Sequence, residues 1–280
     1  MAWLHIRYHS EVLRMPAAME VLLPQAGSAD SRGQCGPGPY AALYLLHGVH
    51  EDHTAWLRRS NIERYVRGLP LAVVMPAGHH GWHTDMAYGR DYFRFLTEEL
   101  PALCERMFPL SSSREDRYIA GASMGGYGAL KAALAAPETF GAAASFSGPT
   151  DVLGVYDRLD SALAADIFGS RSGLPGSAGD LFAAAEKLAG AEKPRAAFYL
   201  WCGKEEPLYP ENLRFCRHLQ ELGLPLTFAE GEGESWDAWD RCVRDFLQWL
   251  RRSRKDGREG SAWLRSKRIF TPKSSPWTRK

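Results

Sequence analysis

"DRYIAGASMGGYGALKAAL", residues 116–134, decides how the rest of the chain is read. The first half is a short apolar run of the kind that forms a buried strand. The second is an alanine- and leucine-rich run that favours a helix. Ser123 lies at the junction, flanked by Gly121, Gly125 and Gly126. A strand that turns at once into a helix lifts the residue at the bend to the C-terminal edge of a sheet. Glycines on either side let neighbouring backbone pass close by. The G-x-S-x-G pattern in this context predicts an exposed hydroxyl, a candidate nucleophile.

Outward from this point the chain alternates. Apolar runs at 20–24, 41–48, 71–78, 142–148, 197–203 and 225–231 are separated by amphipathic stretches at 54–68, 91–108, 128–137, 211–223 and 240–252. Several runs, such as "AALYLLHG" and "LAVVMPAG", lack polar alternation, as strands buried on both faces should. Right-handed strand–helix–strand crossovers then predict an α/β fold with a mostly parallel sheet and helices on both faces. Residues 151–190 break the rhythm and are read as a small cap-like insertion, so that residues 1–250 make one domain.

With 280 residues and 45% hydrophobic content the chain can bury a full core. The net charge is +1, but residues 251–280 carry eleven Lys/Arg against two Asp/Glu, leaving the remainder at −8. That tail has no sustained apolar period and is expected to be disordered and solvated, with nucleic-acid contact the less favoured reading. No stretch is long enough for a membrane span, and the N-terminal "MAWLHIRYHSEVLRM" is too polar for a signal peptide. The five cysteines are widely spaced, without a CxxC pair. Cys104, Cys202 and Cys216 lie in apolar contexts, which predicts buried reduced thiols and a cytoplasmic protein.

"LYLLHGV" (43–49) is a second buried strand, ending in His-Gly. The backbone amides of Val49 and Met124 are thereby candidates for an oxyanion hole, the donor pair that stabilises charge developing on an ester carbonyl. His47 is expected to hold this loop rather than take part in chemistry. The blocks "YLLHGVHEDHTAWLRRSNIERYV", "WHTDMAYGRDYFRFLTEELP", "YIAGASMGGYGALKAAL", "SFSG" and "CGKEEPLYPENLRF" resemble the tributyrin-esterase branch of the esterase D group, α/β-hydrolases related to S-formylglutathione hydrolases. The resemblance implies an α/β-hydrolase fold and a serine carboxylesterase acting on small short-chain acyl esters, with no metal and no cofactor. It places Ser123 at the nucleophile position, Val49 and Met124 at the oxyanion hole, and Glu206 where the family has the aspartate that orients a histidine. A homo-oligomer stays open.

One member of that triad is absent. The family pattern Gly-x-Gly-x-His-x-Trp-x-x-Trp-Asp reads "EGEGESWDAWD" here (230–240), so the histidine slot falls on Glu234 or Ser235. No histidine follows His218. Losing a triad member costs on the order of 10⁴-fold in rate, while an oxyanion hole and binding still leave about 10³-fold or more over water. Three readings follow: a degenerate hydrolase that binds an ester-like ligand without turnover, Glu234 as surrogate base, or a histidine from another loop. His50, His53, His79, His80 and His83 all follow strand ends, and "GHHGWHTD" (78–85) is the richest source, with His83 the foremost candidate. The spacing of those histidines and Asp85 matches no standard zinc motif. Trp82, Trp236 and Met124 are candidate walls for an acyl pocket.

Overall fold

In the computed structural model, residues 1–25, 37–233 and 235–257 are described, the last four as backbone only. Eight strands form one sheet in the order β1-β2-β4-β3-β5-β6-β7-β8. β3 (Ala41–Leu46), β4 (Leu71–Pro76), β5 (Arg117–Ala122), β6 (Ala142–Phe146), β7 (Ala197–Gly203) and β8 (Leu226–Gly231) run parallel. β1 (Ala2–Ser10) and β2 (Met15–Leu23) join antiparallel at one edge. This is the mostly parallel α/β sheet that the strand–helix alternation predicts, in the α/β-hydrolase arrangement that the family resemblance implies.

β3 and β4 are buried at every position, because each face lies under helices. Successive side chains of β3 serve opposite cores. Leu43 and Leu45 join Trp56, Ile62, Val66, Val243 and Phe246 on one side. Ala42, Tyr44 and Leu46 join Leu100, Leu130, Phe215 and Leu219 on the other. The first layer therefore holds α1 (Ala55–Arg59), α2 (Ile62–Val66) and α10 (Trp236–Gly257), and the second α4 (Leu100–Met107), α5 (Met124–Ala135), α8 (Leu181–Ala189) and α9 (Tyr209–Glu221).

The structure departs from the sequence reading in four places. β1 was not anticipated: its inward Leu4, Ile6 and Tyr8 alternate with exposed Trp3, His5, Arg7 and His9, which makes the segment read as polar. The stretch 54–68 breaks into α1 and α2 because Asp240 of α10 takes the Asn61 backbone N–H (2.6 Å) and its Nδ2 (3.1 Å). The stretch 91–108 is α3 (Tyr92–Arg94), a π-helical turn (Phe95–Glu99) and then α4. Pro101 opens α4 without an N–H for the preceding turn, and widening that turn relieves the ring's clash. Finally, the expected disordered tail from 251 starts as helix, α10 continuing to Gly257; residues 258–280 lie outside the described residues.

Between β6 and β7 the irregular 151–190 segment folds as α6 (Val152–Arg158), α7 (Ser161–Phe168) and α8. Each helix starts on an aspartate, Asp151, Asp160 or Asp180, whose carboxylate accepts from amides of the first turn.

Candidate active site

Ser123 has φ 52° and ψ −121° at the bend between β5 and α5. Non-glycine residues rarely occupy positive φ, and such strain gathers where a side chain must be aimed. The bend is fixed from both sides. Ser123 N–H donates to Phe146 O at 3.0 Å, and Ser123 O accepts from the Gly126 and Tyr127 amides at 2.9 and 3.1 Å. The flanking glycines are sterically required. A Cβ on Gly121 would fall 2.5 Å from Gly125 C, and one on Gly125 would fall 2.6 Å from Leu46 O.

That second approach presses the start of α5 against the end of β3 and brings Gly48 beside the serine. A Cβ on Gly48 would lie 3.6 Å from Ser123 Cβ. Met124 opens α5, where a helix has no internal partner for its amide. Among the described residues neither the Met124 nor the Val49 amide donates a hydrogen bond. His47 holds the Val49 loop. Its Nδ1 donates to Gly48 O at 2.7 Å and its Nε2 accepts from Gly78 N–H at 2.9 Å. Burial lowers its affinity for a proton, so a neutral ring ties the loop after β3 to the loop after β4.

Glu206, in the turn after β7, is buried. Its Oε1 accepts from Ser147 Oγ and from Gly203 N–H, both at 2.8 Å. Ser147 is a second strained residue (φ 50°) at the end of β6. Its Oγ also accepts from Trp239 Nε1 at 3.3 Å. Sequence reasoning passed over Ser147 and Trp239 as parts of the site, since neither has a motif of its own beyond the quoted family blocks. Ser123, Ser147 and Glu206 thus follow β5, β6 and β7, three adjacent strands, along one rim of the sheet.

All nine histidines fall within the described residues, and none hydrogen-bonds to Ser123 or Glu206. His83 is corrected as a base: it is fully buried against Gly78 and Gly128, and burial pushes its pKa down to about 3. His79 pairs with the Tyr92 hydroxyl at 3.0 Å, and His50 and His80 point to solvent. Asp85 accepts from Arg94 N–H, so the 78–85 loop does not gather ligands. Ser235 is exposed and caps α10, its Oγ accepting from Ala238 N–H at 3.3 Å. That employment does not fit a base. Glu234 lies outside the described residues. The first turn of α10 is pinned by Trp236, whose Nε1 donates to Glu51 Oε1 at 3.1 Å and whose ring meets Trp56 edge-on at 5.1 Å. Of the candidate acyl-pocket walls, Met124 is fully buried, while Trp82 packs against Tyr127 and against Phe168 of α7.

Residues 10–250 match the Esterase family. The chain belongs to that family. This esterase is 27% identical over 262 residues to an acetyl esterase of Caldicellulosiruptor saccharolyticus, covering 89% of this chain and 98% of the relative. Among solved structures it is similar to the fluorophosphonate-binding serine hydrolase F (FphF) of Staphylococcus aureus, with 32% identity, a TM-score of 0.82 and coverage of 89% and 98%. It is likewise similar to the S-formylglutathione hydrolase FrmB of the same organism, with 32% identity, a TM-score of 0.80 and the same coverage. The resemblance to the esterase D group therefore holds, and the esterase is a carboxylic ester hydrolase that takes a small-molecule ester. The reading as a ligand-binding protein without turnover is not favoured. No helix among the described residues is long and apolar enough to cross a membrane.

Proposed function

We propose that this esterase hydrolyses short-chain acyl esters through Ser123, slowly, without a histidine base. Ser123 Oγ attacks the acyl carbon, and the carbonyl oxygen takes up negative charge beside the Met124 and Val49 amides. Collapse expels the alcohol, which takes a proton, and water then cleaves the acyl-enzyme to return Ser123 and release the acid. Glu206 holds the position of the orienting acid. Glu234 is the side chain left by sequence position to accept the Ser123 proton. The observation that carries the reading is the strained bend at Ser123 beside Gly48, with the Met124 and Val49 amides that follow these two residues making no hydrogen bond among the described residues. The acetyl esterase relative and the packing of Phe168 from the 151–190 insertion over Trp82 support a short acyl group. The buried free thiols of Cys104, Cys216 and Cys242 support a cytoplasmic setting.

A fluorophosphonate probe at pH 8, read by intact-protein mass, tests the proposal. Slow stoichiometric labelling of the protein, abolished in Ser123→Ala, is expected together with weak hydrolysis of p-nitrophenyl acetate. Absence of labelling, or labelling that survives Ser123→Ala, overturns the assignment of the nucleophile.

A further inference from the structure

A second cluster of chemistry-bearing side chains lies at the opposite edge of the sheet, outside the groups assigned to ester hydrolysis. His5 of β1 and Glu20 of β2 face each other in the antiparallel register. His53 reaches them from the loop after β3. One donor atom from each of the three lies within 4.8 Å of the other two. Glu20 is only 2% exposed, an unusual place for a carboxylate, and it is held in a fixed orientation. Its Oε2 accepts from Trp3 Nε1 at 2.5 Å and its Oε1 from His5 Nδ1 at 2.6 Å. His53 Nε2 is buried and has no hydrogen-bond partner. Its ring lies 5.7 Å from that of His5, tilted by 32°.

A buried imidazole nitrogen normally finds a partner, so an orphan one that converges with a second imidazole and a desolvated carboxylate points to a missing ligand. We propose that His5, Glu20 and His53 form a binding site for a late first-row divalent cation, Zn²⁺ fitting best. Two imidazoles and one carboxylate are a donor set that this ion takes with a water in the fourth position. Half-exposed His5 leaves that position open to solvent. At ligand distances of about 2.0–2.2 Å, tetrahedral donors stand about 3.4 Å apart. The His5–Glu20 contact would open slightly and His53 would close in, movements within reach of side-chain torsions. The His5 proton now on Nδ1 moves to Nε2, which faces water, so the ion meets a neutral imidazole. Trp3 remains on Oε2 as the outer partner that orients the carboxylate. Of the charged and titratable groups facing His53, Glu20 and Asp52 favour a cation, while Arg7 and a protonated His5 oppose one.

Occupancy would join the β1–β2 edge to the loop that carries Val49, four residues before His53. The test is calorimetric titration of Zn²⁺ into the tag-free, chelator-treated full chain, with bound metal counted by elemental analysis. One equivalent is expected, with affinity falling about tenfold or more in both His5→Ala and His53→Ala and unchanged in His9→Ala and His80→Ala. Co²⁺ in place of Zn²⁺ should give the intense visible absorption of a tetrahedral site, lost in the same two variants. Less than about a tenth of an equivalent bound, or wild-type affinity in His5→Ala and His53→Ala, overturns the proposal. Both substitutions fall on exposed or half-buried residues, so folding is preserved and the comparison stands even where Glu20→Gln does not fold.

Discussion

Glu206, proposed at the position of the orienting acid, is held in place by groups other than a histidine. Its carboxylate satisfies Ser147 Oγ and the Gly203 amide, both buried. Removing it leaves those donors unpaired, at about 1–3 kcal/mol. Glu206→Ala is therefore expected to lower the urea midpoint while changing p-nitrophenyl acetate turnover little. Glu234→His supplies an imidazole at one of the two slots where the family pattern sets its histidine and should raise that turnover by about 10²-fold or more. In the Glu234→His background, Glu206→Ala should then cost rate as well as stability. Additive effects in this double-mutant cycle would mean that residue 234 does not work with Glu206. Ser123 and Glu206, proposed as nucleophile and orienting acid, stood out in sequence because each lies in a dense local pattern, G-x-S-x-G and C-G-K-E-E. Ser147 could not, because its role depends on φ 50° and on Trp239 arriving from another helix. The missing histidine was equally plain in sequence. Only coordinates, however, could remove His83, whose apparent promise in a histidine-rich loop ends at complete burial.

At the scale of elements, the elbow works because β5, α5 and the end of β3 touch without side chains between them. A methyl group on Gly125 would meet two backbone carbonyls, Leu46 O at 2.6 Å and His47 O at 2.8 Å, and backbone cannot move aside as a side chain can. Gly125→Ala should thus both destabilise the fold, by about 1–3 kcal/mol as overpacking does, and slow fluorophosphonate labelling by shifting the Val49 loop. A variant labelled at the wild-type rate would show that the loop tolerates displacement. The parallel strands were readable from unbroken apolar runs. β1 was not, since an edge strand half in water shows polar residues at every second position. Nor were the break at Ser60–Asn61 and the π turn before Pro101, which depend on a contact 179 residues away and on local backbone relief.

For the whole molecule, the buried bases set the response to acid. His83 is held neutral down to about pH 3, whereas an unfolded chain protonates it near the ordinary histidine value of about 6.5. Between these limits the unfolded state binds the extra proton. Stability is therefore retained above about pH 6.5 and lost as pH falls toward 3, at up to about 1.4 kcal/mol per pH unit. His83→Gln removes the titration, and its urea midpoint should fall less steeply between pH 6 and 4 than that of the wild type. Equal slopes would place the acid sensitivity elsewhere. Lys131 acts at the other end. Burial lowers its pKa to about 7, so the unfolded state holds more protons from there up to the ordinary lysine range, and this group's contribution to stability rises with pH.

The eight residues from His47 to Thr54 work as a junction. His47 anchors the neighbouring loop, Gly48 lies beside the serine with Val49 proposed as an amide donor next to it, Glu51 grips Trp236, Asp52 takes the Thr54 hydroxyl and His53 turns toward the far edge of the sheet. Mutational tolerance should consequently be lowest in this octapeptide. In a library screened separately for thermal survival and for catalytic output, the same clones ought to drop out of both pools, because one short run of chain is wired to each.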